Sequence, residues 1–129
     1  MKKQAQHKSH KIQATYFDGV QKFEIIIVSA DNLPDVRSFG RMKVYAEVSI
    51  NREPDTSRLT TVDTDGETNP RWNFPLEYMI EEASLRNPRL VVGLKLNSER
   101  TLRERYIGEV NISVKGLFDY GPRVENVLT

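Results

Sequence analysis

Apolar and polar residues alternate with a period of two along most of this chain. Phe23, Ile25 and Ile27 fall on one face of a strand; Val44, Ala46, Val48 and Ile50 form a second such set, and Leu90, Val92, Leu94 and Leu96 a third. Successive side chains of a strand point to opposite faces, so each set predicts a strand with one side buried. β-Branched residues fill these runs and Gly, Pro, Asn and Asp separate them, which is the pattern of an all-β, antiparallel β-sandwich. Ile12 to Phe17 predicts a shorter strand ahead of an Asp18-Gly19 turn. Glu77 to Leu85 reads as a strand end running into one helical turn before Pro88, and Val114 to Asp119 as another turn closed by Gly121-Pro122. Residues 1–11 are polar and lack the apolar surface that offsets the entropy of ordering. They predict a basic, disordered tail ahead of one domain spanning 12–129.

The 129 residues suffice for a single core, and a content of 38% hydrophobic and 29% charged residues suits a globular domain. The longest aliphatic run, Ile25 to Val28, is far short of the roughly 20 residues of a membrane helix. There is no cysteine, which excludes disulfides, a thiolate nucleophile and a zinc–thiolate site. Both histidines, His7 and His10, lie in the tail, and there is no Gly-x-Ser-x-Gly or Gly-rich phosphate loop, so the chain does not read as an enzyme. Asn111-Ile112-Ser113 matches a glycosylation sequon by chance inside a strand. Charge is unevenly spread: residues 1–22 hold five lysines against Asp18, and the remainder is slightly acidic. Nucleic-acid binding needs aromatics interleaved with a basic face, and none is found.

Four stretches carry a family resemblance. Phe23 to Leu33 is an alternating run ending in Ala-x-x-Leu; Leu33 to Tyr45 contains Phe-Gly-Arg-Met-Lys-Val-Tyr; Thr68 to Phe74 reads Thr-Asn-Pro-Arg-Trp-Asn-Phe; Tyr106 to Val110 reads Tyr-Ile-Gly-Glu-Val. Together they resemble a C2 domain from about Phe23 to about Asp119. The stretches Phe39 to Tyr45, Val62 to Asn73 and Val114 to Leu117 are similar to the small plant C2 proteins of the cold-regulated and defence-associated group. The resemblance implies a C2-type Greek-key sandwich with two further strands after Leu117. Asn126 to Thr129 can begin the first of these and nothing encodes the last. Either the chain is a fragment or Ile12 to Phe17 fills part of the gap; otherwise sheet edges stay open.

The resemblance also assigns five calcium-ligand places, which fall on Arg37, Lys43, Asn97, Glu99 and Arg105. Ca²⁺ takes six to eight oxygen ligands. One carboxylate, one amide and three cations do not supply them, so neither a metal nor another cofactor is expected. Two readings stay open: the site has decayed and its cations pair with nearby acids, or fixed positive charge replaces the ion. Asp63-Thr64-Asp65-Gly66-Glu67-Thr68 superficially resembles an EF-hand loop but fails on spacing. Its acids Asp63, Asp65 and Glu67 are placed to neutralise the cations.

With its sensor inverted in charge, a C2 scaffold is expected to bind an anionic phospholipid surface without calcium. The lipid-facing residues are then Arg37, Phe39, Arg41, Lys43, Arg100, Arg103 and Arg105, with Val36, Phe39 and Met42 as candidate apolar wedges. Phe39 either inserts or packs under its loop. The plant resemblance implies a stress or defence setting, with the protein cytoplasmic and peripheral at the plasma membrane. The alternative is an adaptor that binds no lipid and takes a partner's strand on an open sheet edge.

Overall fold

The computed structural model of the protein describes residues 7–9, 12–17, 20–37, 40–100, 103–115 and 123–125. Among these residues nine strands run antiparallel: β1 (His7–Ser9), β2 (Ile12–Phe17), β3 (Val20–Ser29), β4 (Val44–Ile50), β5 (Arg58–Leu59), β6 (Arg71–Glu81), β7 (Val91–Ser98), β8 (Arg105–Ser113) and β9 (Arg123–Glu125). They form a three-stranded sheet in the order β2-β3-β6, a four-stranded sheet in the order β5-β4-β7-β8, and a ribbon of β1 with β9. The chain passes from one sheet to the other between β3 and β4, between β5 and β6, and between β6 and β7.

The expected alternation becomes the core. In β4, Val44, Ala46, Val48 and Ile50 are buried while the residues between them are half exposed. Phe23, Ile25 and Ile27 of β3 meet them from the facing sheet, with Leu76, Tyr78 and Ile80 of β6 alongside. Each such side chain stabilises the fold by about 1.5–3 kcal/mol on burial. Two polar ties cross between the sheets: Trp72 Nε1 donates to the Val44 carbonyl at 3.1 Å, and the Tyr78 hydroxyl donates to the Thr56 carbonyl at 2.8 Å.

β2 forms as expected and pairs with β3 from Ile12 opposite Ile25 to Phe17 opposite Val20. The Asp18-Gly19 turn between them lies outside the described residues, as do Leu117, Gly121-Pro122 and Asn126 to Thr129. The helical turn before Pro88 is α1 (Glu82–Leu85), whose Leu85 is buried. One finding departs from the expected disordered tail: His7–Ser9 pairs with Arg123–Glu125 and lies against β3. A polar segment can join a sheet through its backbone alone, so its composition did not announce the strand.

Candidate functional site

Three connections meet at one end of the sandwich: 30–43 after β3, 60–70 after β5 and 99–104 after β7. Backbone bonds lace them together. Ala30 N donates to the Pro70 carbonyl at 3.1 Å, Leu33 N to the Thr68 carbonyl at 3.0 Å, and Glu99 N to the Lys43 carbonyl at 2.8 Å. Asp63 bridges to Val44, Val44 lies opposite Ser98, and Ser98 lies opposite Arg105. One row thus crosses the sheet end, with Lys43 one residue beyond it. Strands lie about 4.8 Å apart, which puts the Val44 and Arg105 backbones roughly 10 Å from each other.

Arg37 is the best-connected charge at this end. Its Nε donates to Asp35 Oδ2 at 3.0 Å, its Nη1 pairs with Glu67 Oε1 and also reaches the Gly40 carbonyl at 3.4 Å. Its own backbone N–H donates to Asp35 Oδ1 at 3.0 Å. The guanidinium fork holds the first loop to the second, which suits arginine more than lysine. Exposed pairs are individually worth about 0–1 kcal/mol, so the network positions the loops more than it stabilises the domain.

Of the acids expected to neutralise the cations, only Glu67 does so by a direct ion pair among the described residues. Asp63 organises a turn instead. Its Oδ1 accepts from Gly66 N at 2.6 Å and from Asp65 N at 3.1 Å, and its Oδ2 accepts from Arg71 N at 3.1 Å. Gly66 is required there, because a Cβ would stand 2.3 Å from the Asn69 carbonyl oxygen. Asp-x-x-Gly is a turn signature, and that was the available clue.

The remaining cations are less engaged. Arg41 makes a 3.5 Å contact to the Thr64 carbonyl, and Lys43 bonds through its backbone, its N–H donating to Ser98 Oγ at 3.2 Å. Arg100, Arg103 and Arg105 are exposed. Among the described residues no carboxylate pairs with Arg41, Lys43, Arg100 or Arg103. Phe39 lies outside the described residues. Met42 is 0% exposed and belongs to the core, and Val36 packs against that core. Met42 is therefore not a wedge: it anchors the loop from below. Arg71, exposed at the start of β6 beside Asp63, adds a cation the sequence reading passed over.

A model of the C2 domain family matches residues 21–127. The chain belongs to the C2 domain family. It is 36% identical over 98 residues to Protein SRC2 of Glycine max, covering 74% of this chain and 34% of that protein. To the Protein SRC2 homolog of Arabidopsis thaliana it is 33% identical over 100 residues, 77% of this chain and 31% of the relative. The chain thus spans about a third of the length of these plant relatives. A C2 domain of RIM from Drosophila superimposes with a TM-score of 0.73 over 96% of this chain and 98% of that one, at 18% identity. At that identity the likeness speaks for the fold.

The donor set of this C2 domain does not fit a calcium ion. Two of the places that the resemblance assigns to ligands, Arg37 and Lys43, carry cations on the first loop, and Arg105 follows the third. Asn97 is buried in β7, and among the described residues no three His, Cys, Asp or Glu side chains gather as a metal requires.

Proposed function

We propose that this C2 domain associates with anionic phospholipid surfaces without calcium, through the cations at its loop end. The observation that carries the reading is the arrangement around Arg37. Its guanidinium bridges Asp35 and Glu67, while Arg41, Lys43, Arg100 and Arg103 have no carboxylate partner among the described residues. Arg37 and Arg105 add to the positive potential, and Phe39 is the candidate apolar contact on the same loop. Each Lys or Arg beside an anionic leaflet contributes about 1 kcal/mol. Four engaged together reach about 4 kcal/mol, which is roughly a thousandfold in partitioning.

Among the described residues no helix is long and apolar enough to cross a membrane, so association is peripheral in this reading. The cytoplasmic face of the plasma membrane is the proposed location, and plant stress or defence the proposed setting. Vesicle co-sedimentation tests the core of the proposal. Binding to anionic vesicles is expected to persist in chelator and to fall as salt rises, because exposed charges are screened over about 10 Å at 0.1 M salt. Binding that appears only with calcium, or not at all, overturns it.

A further inference from the structure

The outer face of the four-stranded sheet presents a second, differently charged surface beside the third loop. Three cross-strand rows are fixed by register: Tyr45–Asn97–Tyr106, then Glu47–Lys95–Glu109, then Ser49–Gly93–Asn111. A bulge between Leu96 and Asn97 shifts the pairing with β8. It puts Tyr106 and Glu109, three residues apart, on the same face, and the Tyr106 hydroxyl donates to Glu109 Oε1 at 2.9 Å. Bulges commonly re-aim side chains next to binding sites.

Asn97 is the anomaly in this arrangement. It is 7% exposed, yet among the described residues its side-chain amide has no hydrogen-bond partner. Buried amides are almost always satisfied, and an orphan costs about 1–3 kcal/mol. It sits between two tyrosines, one of which, Tyr106, is 48% exposed and already has the Lys95 ammonium 5.9 Å from its ring centre. Burial pushes the Tyr45 hydroxyl above its usual range, and the Glu104, Glu47 and Glu99 carboxylates push it further, with no positive group countering them there. On the face itself Lys95 lies between Glu47 and Glu109, and Arg52 pairs with Glu109. Glu99 and Glu104 keep the Tyr45 end negative. An amide oxygen, flanking aromatic rings and nearby carboxylates are the three groups that recognise an ammonium or guanidinium.

The sheet edges say how such a group arrives. Among the described residues β8 pairs with β7 alone, so its nine-residue outer edge is open. The other long edge, that of β6, is blocked: Pro75 lacks an N–H, and Arg58 donates to the Glu77 carbonyl. A strand added to β8 lies about 4.8 Å away and presents alternate side chains beside Tyr106 and Glu109.

We propose that the edge of β8 and the groove around Asn97 together receive an extended, lysine- or arginine-bearing segment of a protein partner. This goes beyond the lipid reading and uses the opposite charge. The test is fluorescence anisotropy of the full chain with a labelled peptide of alternating lysine and threonine. Two further peptides serve as arms, one with glutamate in place of lysine and one with proline in place of threonine. The lysine–threonine peptide is expected to bind and both others to fail, since one lacks the cation and the other the N–H groups of a strand. Asn97→Leu, and Glu99→Gln with Glu104→Gln, are expected to weaken binding roughly tenfold each, the scale of one charge-assisted hydrogen bond. Neither variant is expected to lower vesicle co-sedimentation or melting temperature, so the result stands apart from that of the lipid proposal. No binding of the lysine–threonine peptide, equal binding of either control peptide, or variants that bind like the parent chain would each overturn the inference.

Discussion

The loop end and the outer sheet face are built from the same residue types and resolve their charges in opposite ways. At the loop end one cation, Arg37, is held by two acids, and Arg41, Lys43, Arg100 and Arg103 are left without carboxylate partners among the described residues. On the sheet face the cations are matched, Lys95 between Glu47 and Glu109 and Arg52 on Glu109, while Glu99 and Glu104 bear on Tyr45. Irregular backbone explains the first arrangement: loops place side chains wherever a partner can be reached. Strand register explains the second, since it sets side chains opposite one another at fixed spacing. Net charge of +1 therefore says little about what either surface attracts; local pairing decides it.

The largest effect separates the two regions directly. Replacing Arg41, Lys43, Arg100 and Arg103 together by Gln is expected to reduce partitioning onto anionic vesicles by roughly a thousandfold. Lys95→Gln on the sheet face is expected to change it by less than about tenfold, the contribution of one cation. Co-sedimentation at low salt measures both. Comparable losses from the two changes would mean that the sheet face, and not the loop end, meets the membrane.

A second change distinguishes support from contact within the loop end. Met42→Ala is expected to destabilise the domain by about 2–5 kcal/mol in denaturant unfolding, because the side chain is fully buried. Vesicle binding of the folded fraction is expected to be unchanged. A stable variant that has lost binding would restore Met42 as a wedge.

Met42 also marks where the sequence stopped being legible. Period-two alternation in β3, β4 and β7 was readable because burial on one face of a strand leaves a repeating trace, and the core follows it closely. Loop residues leave no such trace. Phe39 and Met42 are apolar neighbours three positions apart, and nothing in composition says which turns inward. Charge identity at Arg37, Lys43 and Arg105 was legible, but the pairing was not. Asp63 looked available to a cation and is taken by three backbone N–H groups, whereas Glu67 reaches Arg37 from a left-handed residue at φ 55°. The bulge at Leu96/Asn97 was equally hidden, because it depends on how β8 aligns with β7 and not on either strand alone.

A smaller effect probes the bridge between loops. Arg37→Gln leaves Asp35 and Glu67 without their shared cation, and a loss of about 1 kcal/mol is expected in chemical denaturation at low salt. The loss should fade as salt rises. Millimolar calcium is expected to leave the melting temperature of the parent chain unchanged. A rise of several degrees would mean that oxygen ligands gather at the loop end despite the cations.

The smallest effect lies in how two tyrosines titrate. Both Tyr45 and Tyr78 are raised above the ordinary phenol value, first of all by burial. For Tyr45 the second cause is a set of carboxylates, whereas for Tyr78 the Arg58 guanidinium, 4.3 Å from its ring centre, works in the opposite sense. A phenol whose folded value exceeds its unfolded one binds its proton more tightly in the fold. Its stabilising contribution is complete below about pH 10 and is lost as pH rises through the folded value. Added salt screens carboxylates but leaves burial in place. The Tyr45 ring signals in a pH titration by NMR are therefore expected to move toward the ordinary phenol value in high salt, and those of Tyr78 to stay or move slightly upward as its guanidinium is screened. Equal downward shifts of the two would mean that the sheet face beside the third loop is no more acidic than the core edge at Arg58, and the contrast between the two ends of this sheet would lose its electrostatic basis.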